Sequence, residues 1–365
     1  MTDGRFCLTR YLVLSLSLFL GICSPLRADV ATEIRSITEH LFMGDAGQID
    51  QAHTVYEPEF IAEFYDSNEF QPAWQDIEQA RSVLSLLARS ELEGLNPDDY
   101  HHAEILQLRE EYQHNWEQRD RIRARFDILL TDGIVLYVRH LLEGKVDPRY
   151  MDENFNYARR DFQPKRIAQQ LREAINARTI PDIVEAATPD GTFYLQMKAA
   201  LAHYRELAQN ESFVPVPEDT VLKPGQAHPT VVALRRRLIE TGYLAPESGF
   251  SPQFDPGLEA AVRQFQRDHA LEADGIVGRQ SFALLNISYS ERVDKLRLNM
   301  DRVRWISQDI SEDIILVNIA GFELYYLRNG RLIWETPVMT GSVAHQTPVF
   351  TAPLKYLEFN PTWTV

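Results

Sequence analysis

The chain has 365 residues, of which 44% are hydrophobic and 25% charged. That is ordinary for a globular protein and enough for two or three domains with real cores. Its formal net charge of −16 opposes the clustered Lys and Arg that phosphate neutralisation needs, so no nucleic acid is expected as a partner. The acidic surplus reads as a solubilising surface.

In chain order, residues 1–28 read as a signal peptide. Arg5 and Arg10 form a basic leader, and residues 11–22 (YLVLSLSLFLGI) form an apolar run. That run falls short of the roughly 20 residues a spanning helix needs. Cleavage after Ala28 and a periplasmic location are expected. Leu26 is a weak match to a small-x-small site, so retention at the inner membrane is the alternative. Ile22 is too large for the position before a lipidated Cys23. Both cysteines, Cys7 and Cys23, fall in this segment, so export rests on the signal alone.

Residues 29–209 read as mostly helical. Val83, Leu84, Leu86 and Leu87 fall at helical spacing. Asn96 is placed to cap a new start, with Pro97 in its first turn. Residues 121–142 carry Ile122, Phe126, Leu129, Leu130, Gly133, Ile134, Tyr137, Val138 and Leu141. That broad apolar face predicts a helix buried in a bundle. Gly144 and Pro148 end it. Further helices are predicted over 165–177 and 192–209. Residues 210–228 contain Pro215, Pro217, Pro224 and Gly225 and read as a linker.

Residues 229–287 read as a compact three-helix unit. Pro229 opens the first helix, with Val231, Leu234, Leu238 and Ile239 as its apolar face. Asp255 caps the second and Pro256 begins it. Leu258, Val262 and Phe265 follow at i, i+4 and i+7. Gly275 and Gly278 are expected to reverse the chain where a side chain would clash. Residues 288–307 are predicted helical, with Val293, Leu296, Met300, Val303 and Trp305 as packing candidates. From 314 the pattern turns to period two. Strands are predicted over 314–319, 322–327 and 332–336, with Asn329-Gly330 as a two-residue hairpin turn. Residues 338–340 and 356–359 are expected to extend the sheet.

Three stretches carry resemblances. Residues 229–286, with L-R-R-R-L-I-E-T-G-Y-L, V-R-Q-F-Q, A-D-G-I-V-G and a closing L-L-N, resemble the small peptidoglycan-binding domain of bacterial wall enzymes. Its motif residues Phe265, Gln266, Asp274, Gly275 and Gly278 are candidates for structural or ligand-facing roles. Residues 60–150 resemble the helical scaffold domain of large periplasmic L,D-transpeptidases. The carriers are F-Q-P-A-W at 70–74, E-G-L-N-P-D-D-Y at 93–100 and G-K-V-D-P at 144–148; these read as turns and packing. Residues 313–365 resemble the opening of the L,D-transpeptidase catalytic domain, with Thr347-Pro348 at the family's T-P turn.

The resemblance implies an acyl transfer that joins neighbouring stem peptides by 3→3 crosslinks, releases D-alanine and is blocked by carbapenems. A cysteine thiolate attacks the stem-peptide carbonyl, with a histidine as base. The family places both in an S-H-G-C segment and an upstream histidine, which these 365 residues do not contain. His345 precedes the T-P turn, does not match that histidine, and reads as an exposed loop residue. No catalytic residue, metal ligand or cofactor is therefore assigned. His101-His102-Ala103-Glu104 lacks the spacing of an H-E-x-x-H zinc site, and no G-x-S-x-G or phosphate loop occurs.

The expected fold class is multidomain α+β. Its parts are a signal peptide (1–28), a helical scaffold (29–209), a linker (210–228) and a three-helix peptidoglycan-binding module (229–287). A connecting helix (288–312) and an incomplete, mostly-β L,D-transpeptidase domain (313–365) follow. Peptidoglycan, glycan and stem peptides both, is the expected partner, with other wall-synthesis proteins as further candidates. The expectation is a transpeptidase-family protein truncated before its nucleophile and inactive as given. The alternatives are a non-enzymatic wall-binding scaffold and a different hydrolase on the same module.

Overall fold

The computed structural model describes residues 29–42, 47–150, 163–209, 213–306, 313–342 and 344–359. The signal peptide read at 1–28 lies outside them. Among the described residues no helix is long and apolar enough to cross a membrane.

The architecture is α+β: twelve helices and one small sheet among the described residues. Eight helices come first: α1 (Val30–Phe42), α2 (Pro58–Asp66), α3 (Ile77–Ala88), α4 (His102–His114), α5 (Arg119–Glu143), α6 (Pro164–Ala177), α7 (Ile180–Ala187) and α8 (Thr192–Gln209). The long helix read from the apolar face of 121–142 is α5. It is buried on most sides, as a helix apolar nearly all round must be, and α1, α2, α3, α4 and α7 pack about it. Asn96 caps as expected, its side chain accepting the Asp98 N–H. The turn that follows, Pro97–Tyr100, is 3-10, and α4 begins only at His102. The short helices α1, α2 and α7 have no counterpart in the sequence reading, and of α4 only the start near Asn96 was read.

Two aspartates in α5 organise the loops around it. Asp127 is fully buried and accepts the backbone N–H of Ala73 (2.7 Å) and Trp74 (3.1 Å) and the Tyr65 hydroxyl (2.8 Å). Thr131 Oγ1, one turn on, accepts Trp74 Nε1 at 2.9 Å. The F-Q-P-A-W turn is thereby fastened to the bundle. Asp132, also fully buried, accepts the N–H of Tyr56 and Glu57 (2.9 Å each) and the Nε2 proton of His101 (2.7 Å). Every buried acid here has donors, which is the condition for burying it at all.

A second, separate core belongs to α9 (Thr230–Glu240), α10 (Pro256–Asp268) and α11 (Arg279–Leu285). Val231, Leu234, Leu238, Leu258, Val262 and Phe265 fill it; Ile239 is only half-buried. Asp255 caps α10 through the Leu258 N–H (2.9 Å). The expectation of a free linker over 210–228 is corrected for its described part. Val216 and Leu222 are buried in this core, and Leu222 exchanges both backbone hydrogen bonds with Val277 (3.1 and 3.0 Å). Prolines made this stretch extended rather than unattached: an extended strand still has a backbone and a side-chain face to pair.

Helix α12 (Tyr289–Ile306) follows. It packs along α8, with Met300 against Tyr194, Met197 and Leu201 in a third small core. The sheet comes last, with β1 (Ile314–Asn318), β2 (Glu323–Arg328) and β3 (Arg331–Pro337) antiparallel in the order β1-β2-β3. Asn329 and Gly330 turn the hairpin with φ of 49° and 67°, the left-handed pair that a two-residue turn requires. Residues 338–340 and 356–359 add no strand, which corrects that expectation. A β-prone run needs a neighbouring edge to become a strand.

Candidate functional site

Of the five motif residues of the three-helix unit, three (Gln266, Asp274 and Gly275) meet in one clamp. Gln266 donates from Nε2 to Asp274 Oδ1 (2.8 Å) and to the Ile276 carbonyl (3.0 Å), and its Oε1 accepts the Gly275 N–H (2.8 Å). Asp274 in turn accepts the Ile276 N–H (2.9 Å). That bond is the main reason its carboxyl is held below the usual range. Phe265 is buried, with Tyr243 edge-on at 5.3 Å and His269 at 4.1 Å. The clamp ties α10 to the turn before α11, so Phe265, Gln266 and Gly275 face inward.

The two glycines differ. Gly275 has φ +76°, and a Cβ there would lie 3.1 Å from both Arg263 Nε and Glu259 Cγ. Gly278 is extended (φ −107°, ψ −168°) and a Cβ there would meet nothing within 4 Å. The expected clash at Gly278 is therefore corrected: it begins α11 without needing to be glycine.

The outward face of the unit is built by a residue the sequence reading passed over. Arg235 is 1% exposed. Its guanidinium donates to the Gln253 carbonyl (3.0 Å) and pairs with Asp255. The loop between α9 and α10 is pinned by these bonds, and it displays Phe250, 54% exposed, with Arg236 5.7 Å from the ring centroid. An exposed aromatic on a fixed loop, flanked by a cation, is a surface for stacking on a polar ligand.

The unit is mounted on the scaffold through α12, and the short scaffold motifs form the mount. At the N-terminal end, Arg237 lies between the rings of Phe213 and Tyr289 (4.0 and 5.1 Å) and donates to the carbonyls of Leu285 (2.9 Å) and Val214 (2.8 Å). At the C-terminal end, Asp301 accepts the N–H of Lys145 (2.8 Å), and Arg297 donates to the Gly94 carbonyl (2.9 Å). Arg304, 1% exposed, donates to the Glu93 carbonyl and to the Tyr194 hydroxyl, the latter at 2.6 Å. The Glu93 side chain accepts from the same hydroxyl (3.0 Å) and from Lys198. Gly144 (φ +78°) lets the chain pass Trp305, whose Nε1 would be 2.5 Å from a Cβ. E-G-L-N-P-D-D-Y and G-K-V-D-P are thus the receptor for one helix. The charged residues of the 288–307 helix (Arg297, Asp301, Arg304) were the available signal, since they interrupt its apolar face.

Two buried histidines complete the scaffold. His101 stacks on Tyr56 (5.1 Å) and contacts Asp132 and Glu104 (2.7 and 3.1 Å). Burial opposes its charge, but the two carboxylates prevail and raise it to about 9. His140 lies 3.1 Å from the Tyr100 hydroxyl. Burial, helped by Lys145, lowers it to about 3. His345 is exposed, as read, in a loop closed by its N–H to the Ser342 carbonyl (3.0 Å) and by the Gly341 N–H to Thr347 Oγ1 (2.7 Å). No group of three metal-ligating side chains occurs among the described residues.

Three protein families match this chain. A scaffold domain covers residues 59–201, a "Putative peptidoglycan binding domain" covers 227–285, and an L,D-transpeptidase catalytic domain covers 312–365. A Haemophilus influenzae protein named "Putative L,D-transpeptidase" is 36% identical over 74 residues. That stretch is 20% of this chain and spans 15% of that protein's length.

Proposed function

We propose that this is a protein of the L,D-transpeptidase family, as its three matched domains support, and that it binds peptidoglycan through the module of residues 213–286 and serves wall crosslinking. The observation that carries the reading is the module itself: a closed core, a pinned loop and an exposed aromatic, held on a scaffold by a helix bound at both ends. Export to the periplasm by residues 1–28, with or without retention at the inner membrane, belongs to the same proposal. So does association with other wall-synthesis proteins.

The test is sedimentation of the purified chain with isolated sacculi. The chain is expected in the pellet, and Phe250→Ala, which removes no core contact, is expected to shift it toward the supernatant. A chain that stays soluble with sacculi while its helices are intact by circular dichroism contradicts the proposal.

Family chemistry would need a thiolate, and residues 24–365 hold no cysteine. These residues alone cannot form the acyl-enzyme. A second reading is a wall-binding scaffold that does not itself transfer acyl groups, which the closed module and its exposed Phe250 fit equally well. Incubation with disaccharide-tetrapeptides followed by mass spectrometry separates the two. No 3→3 dimer above the no-enzyme control is expected, and a dimer would overturn the second reading.

A further inference from the structure

The scaffold has a cleft that the module does not account for. It lies between the F-Q-P-A-W turn with the start of α3 on one side and the C-terminal half of α6 on the other. Its volume is about 320 Å³, and side-chain amides form the largest group in its lining: Asn68, Gln71, Gln75, Gln79 and Asn176. Arg172, Arg178 and Asp76 add charge to the rim.

The walls are fixed by bonds that cross the cleft. Gln79 Nε2 donates to the Ile175 carbonyl (2.6 Å), Arg172 donates to the Ser67 hydroxyl (2.8 Å), and Arg178 pairs with Asp76. The turn beneath is held by Asp127 and continues from two non-glycine residues at positive φ, Glu69 (51°) and Phe70 (57°). The cleft is therefore preorganised.

Its chemistry selects a ligand class. Gln75 and Gln79 each use one amide hydrogen on a backbone carbonyl (Gln75 to Pro72 at 3.2 Å). Each keeps a second N–H and an oxygen. Asn176 uses neither group of its amide on the described residues. Paired donor and acceptor atoms are the complement of a hydroxyl or an acetamido group, which also offer both. A carboxylate offers acceptors only and would leave the amide oxygens unmatched. Of the two positive charges on the rim, Arg178 is already balanced by Asp76.

Resting on the wall-binding reading above, we propose that this cleft is a second glycan-contact site, taking a neutral N-acetylhexosamine unit of a polymer. Helix α3 runs from the cleft to the Glu93 mount, and its 12 residues span about 18 Å. Cleft and module thus meet a long polymer at separate places, and two weak contacts on one chain gain by avidity. Its test does not depend on the module: a soluble oligosaccharide reports on the cleft whether or not the module binds sacculi.

The experiment is titration of the full chain with N,N′,N″,N‴-tetraacetylchitotetraose, followed by NMR of the Asn and Gln side-chain amides and by calorimetry. Shifts of the Gln75, Gln79 and Asn176 amides are expected. Asn176→Ala with Gln75→Ala is expected to weaken binding about fivefold, the loss of one or two hydrogen bonds. Both residues are exposed, so folding is preserved, which circular dichroism checks. Amide shifts confined to the module, or affinity unchanged in the double variant, would overturn the proposal, as would preferential binding of a free stem tetrapeptide.

Discussion

The helical part of the molecule and its C-terminal sheet are built to different degrees of closure. In the scaffold, Phe60, Phe64, Tyr65 and Trp74 are fully buried, and the buried acids all have donors. In the sheet, hairpin register and turn chemistry are equally regular, yet Leu316 is 39%, Ile333 57% and Trp334 56% exposed. A hairpin's hydrogen bonds are local and form within the segment. Its apolar faces need a second layer. The comparison teaches that ordered secondary structure and a stabilised domain are separate achievements in this chain.

The sharpest way to break that contrast is limited proteolysis of the whole chain. Cleavage is expected to remove the segment beyond about residue 310 first, leaving scaffold and module as a resistant fragment. Deletion of 313–365 should raise solubility. Resistance of Phe322 through Phe359 under conditions that cut the scaffold would remove the distinction.

A buried anchor should be the converse case. Asp132→Ala leaves two backbone N–H groups and His101 without their acceptor. A loss of about 3–5 kcal/mol is expected in denaturant unfolding of the scaffold. A loss below about 1 kcal/mol would mean that the network is ornamental.

The two histidines sharpen the contrast by pH. His101 is raised to about 9 in the fold, so its contribution is full below the unfolded value of about 6.5 and is lost as pH rises toward 9. His140 is lowered to about 3, so its contribution is full above about 6.5 and is lost as pH falls toward 3. Scaffold melting should therefore peak near pH 6.5. His101→Gln should flatten the alkaline limb and His140→Gln the acid limb, each by several degrees. A profile that neither variant alters would refute the assignment.

The smallest effects concern the module's glycines. Gly275→Ala should cost about 1–2 kcal/mol through its positive φ and crowding by Arg263. Gly278→Ala should lie within about 0.5 kcal/mol of the parent. Equal effects would mean that the turn is not organised as described.

Much of this was legible in the chain. The apolar run of α5, the Asn96 and Asp255 caps and the Asn329-Gly330 turn each follow from a local rule, and local rules need no knowledge of the rest of the fold. Asp127 and Asp132 were also visible, as acids inside an apolar helix, but their partners lie 31 to 76 residues away. No spacing rule reaches that far. The attachment of Leu222 and the open space at Gly278 depend on neighbours brought by tertiary packing, so proline and glycine content misled there. For the mount, the charges of α12 were readable, whereas the receptor loops that bind them were not.

Wall binding, as proposed, resides in the module on its scaffold and does not require the sheet. Hydrogen exchange of the full chain with and without soluble peptidoglycan fragments tests it most directly. Added protection is expected in α9, in α10 and in the loop displaying Phe250, with exchange in β1, β2 and β3 unchanged. Protection confined to the sheet, or none in the module at saturating fragment, would contradict it.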